Sequence, residues 1–268
     1  ARDLVVAAGG DGTVADIATR LAGRDVPLAI FPSGTSNNVA TSLGMPRNLR
    51  ALMEMIERRS VAPWHIGVVN APWGSKRFVE SAGVGLFARF LRRADEDPPD
   101  DPGADPSQAE ARHDEIRRGR RLAMKVIDEV SPCRLSITAD GRDLSGEYLF
   151  AEVLRSRFAG PSLELADEGE CGGDRLTLAL LEPSRRAEFR EFVSGAIRGE
   201  RLPRGLITHC VREVRLSWPA GEGRVDDRLW PSGKKKGAAS GETAPFGAEV
   251  TVSAVQEPVS VLERSSDA

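Results

Sequence analysis

The sequence predicts an α/β protein: an N-terminal doubly wound, Rossmann-like part over residues 1–62, then a β-rich, β-sandwich-like part over residues 63–268. Two apolar runs, Leu4–Ala8 and Pro27–Phe31, predict the first part, because each leads into a loop of small residues and then into a segment of helical pattern. Right-handed crossovers return the strands of such tandem units in one direction, so both loops fall at the same end of a parallel sheet. A change of texture after Trp64 predicts the second part, where short alternating apolar runs recur between turn residues.

The first loop reads Gly9-Gly10-Asp11-Gly12-Thr13 and the second Pro32-Ser33-Gly34-Thr35-Ser36-Asn37-Asn38. Glycine lets the backbone approach an anion closely, with successive N–H groups aimed at one cluster of oxygens. The helix start that follows adds unpaired N–H groups and the positive end of its dipole. Gly9, Gly10, Gly12, Thr13 and Thr35 are therefore candidate phosphate contacts, with Asn37 and Asn38 closing the second loop. A carboxylate repels phosphate, so Asp11 is out of place in a pure anion cradle. It makes chemical sense where a metal ion or an attacking hydroxyl lies beside the phosphate and needs a ligand or a base. For one such loop a tight turn with a helix cap is the competing reading, and the second loop weighs against it.

The other elements follow in order. A helix begins near Leu49, with Leu49, Met53 and Ile56 expected to face the core. His65–Asn70 and Arg77–Ser81 read as a β-hairpin about Ala71-Pro72-Trp73-Gly74. Ala82–Ala88 is rich in small residues and is read as tight packing between a strand and a helix. Asp95–Asp105 is acidic and broken by prolines, which predicts a mobile loop near residues 95–108. Ala109–Val130 is helical in pattern, with Ile116, Leu122, Ala123, Ile127 and Val130 on one face. Arg112, Arg117, Arg118, Arg120, Arg121 and Lys125 surround that face. They are read as solvated, the alternative being attraction to anionic headgroups at on the order of 1 kcal/mol per basic residue. Farther on, Arg134–Thr138 alternates, Asp140-Gly141 makes a hairpin turn, and Tyr148–Leu154 and Leu176–Leu181 are buried strands. A helix spans about 184–198, and Val211–Trp218 and Glu249–Val255 alternate. Lys234–Lys236 is read as a flexible loop and Arg264–Ala268 as a frayed tail.

With 37 basic and 40 acidic residues the net charge of −3 exerts no global pull on nucleic acid, and aromatics at 5% are too few for base-stacking platforms. Cys133, Cys171 and Cys210 lie far apart without Cys-x-x-Cys spacing, which suits a reducing cytosol better than a disulfide framework or a zinc site. No apolar run approaches the roughly 18 residues that span a bilayer. The histidines are isolated from one another, and no Gly-x-Ser-x-Gly elbow is present.

Gly9–Thr13 taken with Pro32-Ser33-Gly34-Thr35-Ser36-Asn37-Asn38-Val39-Ala40 resembles the diacylglycerol kinase catalytic-domain family, which holds bacterial lipid kinases, diacylglycerol kinases and sphingosine kinases. NAD kinases share the first motif without the second. The resemblance implies a nucleotide domain followed by a β-rich domain with the active cleft between them. It further implies an ATP-dependent lipid kinase that uses Mg²⁺ to move the γ-phosphoryl group to the hydroxyl of diacylglycerol or a related lipid. Such a protein would be cytoplasmic and peripherally attached to the membrane surface that holds its lipid substrate. It would have no nucleic-acid partner, and its oligomeric state is left open, a homodimer being one option. Asp16, where relatives often carry Glu, joins Gly9, Gly10, Asp11, Gly12, Thr13, Thr35, Asn37 and Asn38 as nucleotide-binding candidates. Family members also carry a strand-helix-strand segment ahead of this point, so the chain is expected to be truncated at its start, as a fragment or through a misplaced first residue.

The chain departs from the family pattern in its second half. The second motif usually ends Asn-Asp, and here it ends Asn37-Asn38. An Asp-Gly precedes the strand equivalent to Leu176–Leu181; here the order is Gly173-Asp174, which makes Asp174 the candidate metal carboxylate. A late Asp-Gly-Glu supplies the base in bacterial members, but here the stretch reads Asp226-Asp227-Arg228. Arginine stays protonated and cannot serve as a base. Asp226 and Asp227, with Asp11, are therefore the catalytic candidates. Arg155 stands where Asn is common, and Ala159-Gly160-Pro161 replaces a Gly-rich turn. Losing a general base costs about a hundred- to ten-thousand-fold in rate. The alternatives are accordingly a non-catalytic nucleotide- or lipid-binding relative and, third, an NAD kinase-like enzyme.

Overall fold

Short apolar runs bounded by glycine and proline form the first sheet. Val5–Gly9 pairs in parallel with Leu28–Pro32, from Val5 opposite Leu28 to Gly9 opposite Pro32. The computed structural model describes residues 3–96, 109–219, 221, 223–231 and 248–263. Most of the expected acidic loop, Lys234–Lys236 and the C-terminal tail lie outside these residues. In space the first sheet runs Val5–Gly9, Leu28–Pro32, Val259–Leu262, Val61–Trp64. Helices α1 (Asp11–Leu21), α2 (Asn38–Ser42) and α3 (Leu49–Arg58) cover it, and Val14, Ala18, Ile30, Val39, Leu52 and Met55 fill its core.

Two expectations are corrected here. In α3 the buried stripe is Leu52 and Met55 with half-buried Ile56, whereas Leu49 and Met53 are 62% and 48% exposed. Asn48 caps the helix by accepting from Ala51 N, and the phase set from that cap turns Leu49 and Met53 outward. Val259–Leu262, within the stretch read as β-rich, sits in the first sheet, Val261 parallel to Leu28 and the strand antiparallel to Val61–Trp64. Val259, Val261 and Leu262 are apolar enough to be buried in that first core.

The rest of the chain forms two antiparallel sheets. One runs Ile207–Val211, Leu176–Leu181, Phe150–Leu154, Ser81–Gly85, Gly223–Val225, Arg228–Trp230. The other runs Gly74–Phe78, Gly67–Ala71, Glu249–Ala254, Glu213–Ser217, Cys133–Ala139, Arg142–Asp143, with Gly146–Tyr148 pairing the far end of Cys133–Ala139. The expected hairpin is present, Ala71 opposite Gly74. Asp140 and Gly141 both take left-handed φ, 47° and 78°, as a two-residue hairpin turn between right-twisted strands requires. Phe78, Val84, Leu135, Val153, Leu178 and Val214 pack between the sheets, making the expected sandwich.

Helices α4 (Leu86–Glu96), α5 (Ala109–Glu129) and α6 (Arg186–Arg198) cover the outer face of the first of these two sheets, with Phe150 stacked edge-on between Phe87 and Phe189. Burial on both faces explains why Phe150–Leu154 and Leu176–Leu181 read as nearly unbroken apolar runs. Among the described residues no helix is long and apolar enough to cross a membrane.

The cysteine expectation is also corrected. Cys171 and Cys210 form a disulfide, their Cα atoms 5.6 Å apart across 39 residues, while Cys133 is free. The loop before Leu176–Leu181 folds onto the neighbouring strand, where Thr177 stands opposite Cys210, and this brings together two cysteines that sequence spacing keeps apart.

Candidate functional site

The two glycine loops touch. A methyl group on Gly34 would stand 2.4 Å from Gly10 Cα and 3.0 Å from Gly10 N, so only hydrogen fits between the loops. Ser33 N donates to Gly9 O at 3.1 Å, which extends the parallel ladder up to the point of contact. Asn37 takes a left-handed φ of 51°, and its Oδ1 accepts from Gly34 N at 3.0 Å. It staples the second loop into shape. Thr35 Oγ1 donates to Glu115 Oε2 of α5 at 2.7 Å, so the second loop also meets the helical layer.

Asp11 reaches from the first loop to the second. Its Oδ2 accepts from Asn38 N at 3.0 Å and its Oδ1 from Val39 N at 2.9 Å, capping α2 from outside that helix. Burial pushes the Asp11 carboxyl up to about 6; the nearby Glu80 charge adds to this, and the two backbone donors oppose it. A carboxylate near neutrality in a cleft has the properties of a general base.

A buried polar cluster lies behind these loops. Arg224 is 2% exposed. Its Nε donates to Glu152 Oε1 at 3.1 Å and Oε2 at 3.2 Å, and its Nη1 to Glu80 Oε1 at 3.3 Å and Asp226 O at 2.9 Å. Nη2 donates to Ser81 Oγ, and the guanidinium lies 5.0 Å from the centre of the Phe87 ring. Burial works against the Arg224 charge, and Glu152 and Glu80 more than offset it. Burial also pushes Glu152 up, with Arg224 opposing. Glu80 in turn accepts from Asn38 Nδ2 at 2.7 Å and from Gly160 N at 3.1 Å, and Asn38 Nδ2 also donates to Gly160 O at 3.0 Å. This chain of bonds ties the second loop to the sandwich.

The loops and the cluster open on a cleft of about 580 Å³. Asp11, Gly12, Thr35, Ser36, Asn38, Glu80 and Asp227 line its polar side. Phe90, Leu91 and Ala94 of α4 and Ile116 and Leu122 of α5 line the apolar side, with Arg118, Arg121 and Lys125 among them. A cleft lined by the polar loops and by apolar and charged residues of α4 and α5, Glu115 among them, suits an amphiphile that presents its reactive group to the loops.

The structure sorts the sequence candidates. Asp11, Gly12, Thr35 and Asn38 line the cleft, with Gly9 and Gly10 in the contact between loops. Thr13 packs against Gly9. Asp16 lines a smaller recess beside Gly12, with Lys76, Arg77, Asp227 and Arg228. The Asp226–Asp227 pair is divided. Asp226 turns inward and accepts from Val79 N at 3.1 Å and Glu80 N at 2.8 Å, and burial pushes it up to about 7. Asp227 lies at the cleft, paired with Arg228 at 3.6 Å, both 63% exposed. Asp174 is absent from the cleft lining and is instead bound by Arg212 at 3.4 Å, because the turn before Leu176 faces the neighbouring strand. Arg155 spends its guanidinium on Gly173 O and Arg175 O. Arg120, read as part of the solvated face, points inward to Pro161 O, Ser162 O and Ala196 O.

Sequence reading missed Glu80, Glu152 and Arg224, and it named Gly160 only as part of a reduced Gly-rich turn. The one available signal was a charged residue inside an apolar run, as at Glu152, which calls for a buried partner without naming it.

Known proteins resemble the chain in the same terms. Residues 1–69 match the model of the Diacylglycerol kinase catalytic domain. The chain is 26% identical over 203 residues to a diacylglycerol kinase of Bacillus subtilis (strain 168), covering 75% of this chain and 62% of that one. It is 29% identical over 168 residues to the Klebsiella pneumoniae (strain 342) protein named "Probable lipid kinase YegS-like", covering 62% of this chain and 52% of that one. The chain thus spans less than two thirds of the length of these curated relatives. A solved structure of a diacylglycerol kinase from Bacillus anthracis str. Sterne shares the fold, with a TM-score of 0.62 at 17% identity, covering 99% of this chain and 78% of that one.

Proposed function

We propose that the chain, whose residues 1–69 match the diacylglycerol kinase catalytic domain, is a kinase of that family and transfers the γ-phosphoryl group of ATP to the hydroxyl of diacylglycerol or a related lipid. One observation carries the reading: two glycine loops in backbone contact at Gly10 and Gly34, opening on a cleft that α4 and α5 line with apolar residues, three basic ones and Glu115. In this reading Gly9, Gly10, Gly12, Thr13 and Thr35 hold the nucleotide phosphates. The lipid hydroxyl gives its proton to Asp11, its oxygen bonds to the γ-phosphorus, the bond from that phosphorus to the β–γ bridging oxygen breaks, and ADP leaves. Asp11, held near 6, is ionised at neutral pH and still basic enough to take the proton.

Among the described residues no three metal-ligating side chains cluster. Mg²⁺ in kinases is bound by one or two carboxylates together with substrate phosphates, and it neutralises phosphate charge. Asp227, exposed at the cleft, is the carboxylate that would meet it. Arg117, Arg121 and Lys125 recur every four residues along the exposed side of α5, and Arg121 and Lys125 reach the cleft. We assign to this stripe the peripheral contact with an anionic membrane surface.

A second reading, a non-catalytic binder, is favoured by Arg228, which occupies the expected base position and pairs with Asp227. The deciding assay offers labelled ATP and Mg²⁺ with lipid alcohols in mixed micelles. Transfer to a lipid is expected. Intact nucleotide binding without transfer to any lipid refutes the kinase reading, and an Arg228→Glu variant that gains activity from none identifies a degraded kinase.

A further inference from the structure

We infer that Asn38 and Glu80 are a matched donor–acceptor pair that fixes the placement of two carboxylates, Asp11 and Glu80, at the floor of the cleft, with Asn38 as the positioning residue. The turnover part of this inference rests on the kinase reading; the architectural part does not.

Asn38 touches both acids. Its main-chain N donates to Asp11 Oδ2 at 3.0 Å and its side-chain Nδ2 to Glu80 Oε2 at 2.7 Å. Nδ2 also donates to Gly160 O at 3.0 Å. Both Nδ2 partners are pure acceptors, so the amide cannot be turned round: the reversed side chain would set oxygen against a carboxylate and a carbonyl. The orientation leaves Asn38 Oδ1 buried without a hydrogen-bond partner among the described residues.

The surroundings make the identity of residue 38 exacting. Asn38 is 1% and Glu80 7% exposed, so water does not repair a mismatch between them. Glu80 Oε1 is committed to Gly160 N and Arg224, and Arg224 is shared with Glu152. A carboxylate at position 38 would face Glu80 at hydrogen-bond distance, with Arg224 already shared between Glu80 and Glu152. The family pattern ends Asn-Asp at this point, whereas here the amide stands at 38 and the acid across the bond at 80. Donor and acceptor are complementary in this order, and across the 38–80 bond they would be complementary again with both exchanged, although Gly160 O would then lose its donor from residue 38. Gln at 80 keeps an oxygen for Gly160 N and Arg224 and offers an N–H to Asp at 38.

The test uses the full chain as wild type, Asn38→Asp, Glu80→Gln and the double variant, each read by thermal unfolding and by lipid phosphorylation. Each single variant is expected to melt below wild type and to lose about 100-fold in kcat with little change in KM for ATP, as displacement of a positioned group does. The double variant is expected to regain part of both losses, the remainder reflecting Gly160 O left without its donor. A double variant no more stable and no more active than Asn38→Asp overturns the pairing, as does an Asn38→Asp protein that behaves as wild type. Should Asn38→Asp fail to fold, folding of the double variant supports the pairing and its failure overturns it. A wild type that transfers no phosphate ends the kinase reading, and the melting series still decides the pairing.

Discussion

Replacing Arg224 with Met removes the one cation from the polar cluster behind the glycine loops while keeping the length of the side chain. Arg224 donates to Glu152, Glu80, Ser81 Oγ and Asp226 O, and it is 2% exposed beside a Glu152 that is fully buried. Removing one partner from such a pair strands the other charge, which costs about 3–5 kcal/mol. At about 2.1 cal/mol/K of unfolding entropy per residue, a chain of this length loses about 5–9 °C in Tm. The stranded carboxylates also give the loss a pH dependence. Burial raises Glu152, so the folded variant holds a proton that the unfolded chain has released, and stability falls as pH rises above the ordinary carboxylate value. The gap between variant and wild type is therefore wider at pH 8 than at pH 5. Circular-dichroism melts at both values measure it, and adding Glu152→Gln to Arg224→Met should recover part of the loss. An unchanged Tm, or a gap that is equal at both pH values, refutes the assignment of Arg224 as the neutralising centre.

Gly34→Ala drives a methyl group into Gly10 and parts the loops, so calorimetry should show ATP binding weakened or lost with the far-ultraviolet spectrum preserved. Gly172→Ala, where the added group meets nothing within 4 Å, is the matched control. The rate of lipid phosphorylation should rise through about pH 6 and level off above it, because Asp11 takes a proton only when ionised. Asp11→Asn should remove that limb and lower kcat by about a hundred- to ten-thousand-fold; a limb that persists near pH 6 in the variant assigns it to another group.

Local chemistry determined much of this protein without help from its tertiary structure. Apolar runs leading into glycine-bearing loops set the strands that carry both loops, Asp140-Gly141 set its hairpin, and the unbroken apolar stretches at Phe150–Leu154 and Leu176–Leu181 marked strands covered on both faces. Each of these depends on neighbours a few residues away, which is the range over which propensity and periodicity act.

Tertiary structure decided whatever depends on partners far along the chain. It turned α3 so that Leu52 and Met55 are inside, brought Cys171 to Cys210, and took Asp174 away to Arg212. It separated Asp226 from Asp227, burying the first against Val79 N and Glu80 N and leaving the second at the cleft. Above all it assembled Asn38, Glu80, Glu152, Gly160 and Arg224 from separate stretches of the chain into one hydrogen-bonded cluster. A buried charge announces in sequence that it needs a partner, but only the packing of the strands selects which one.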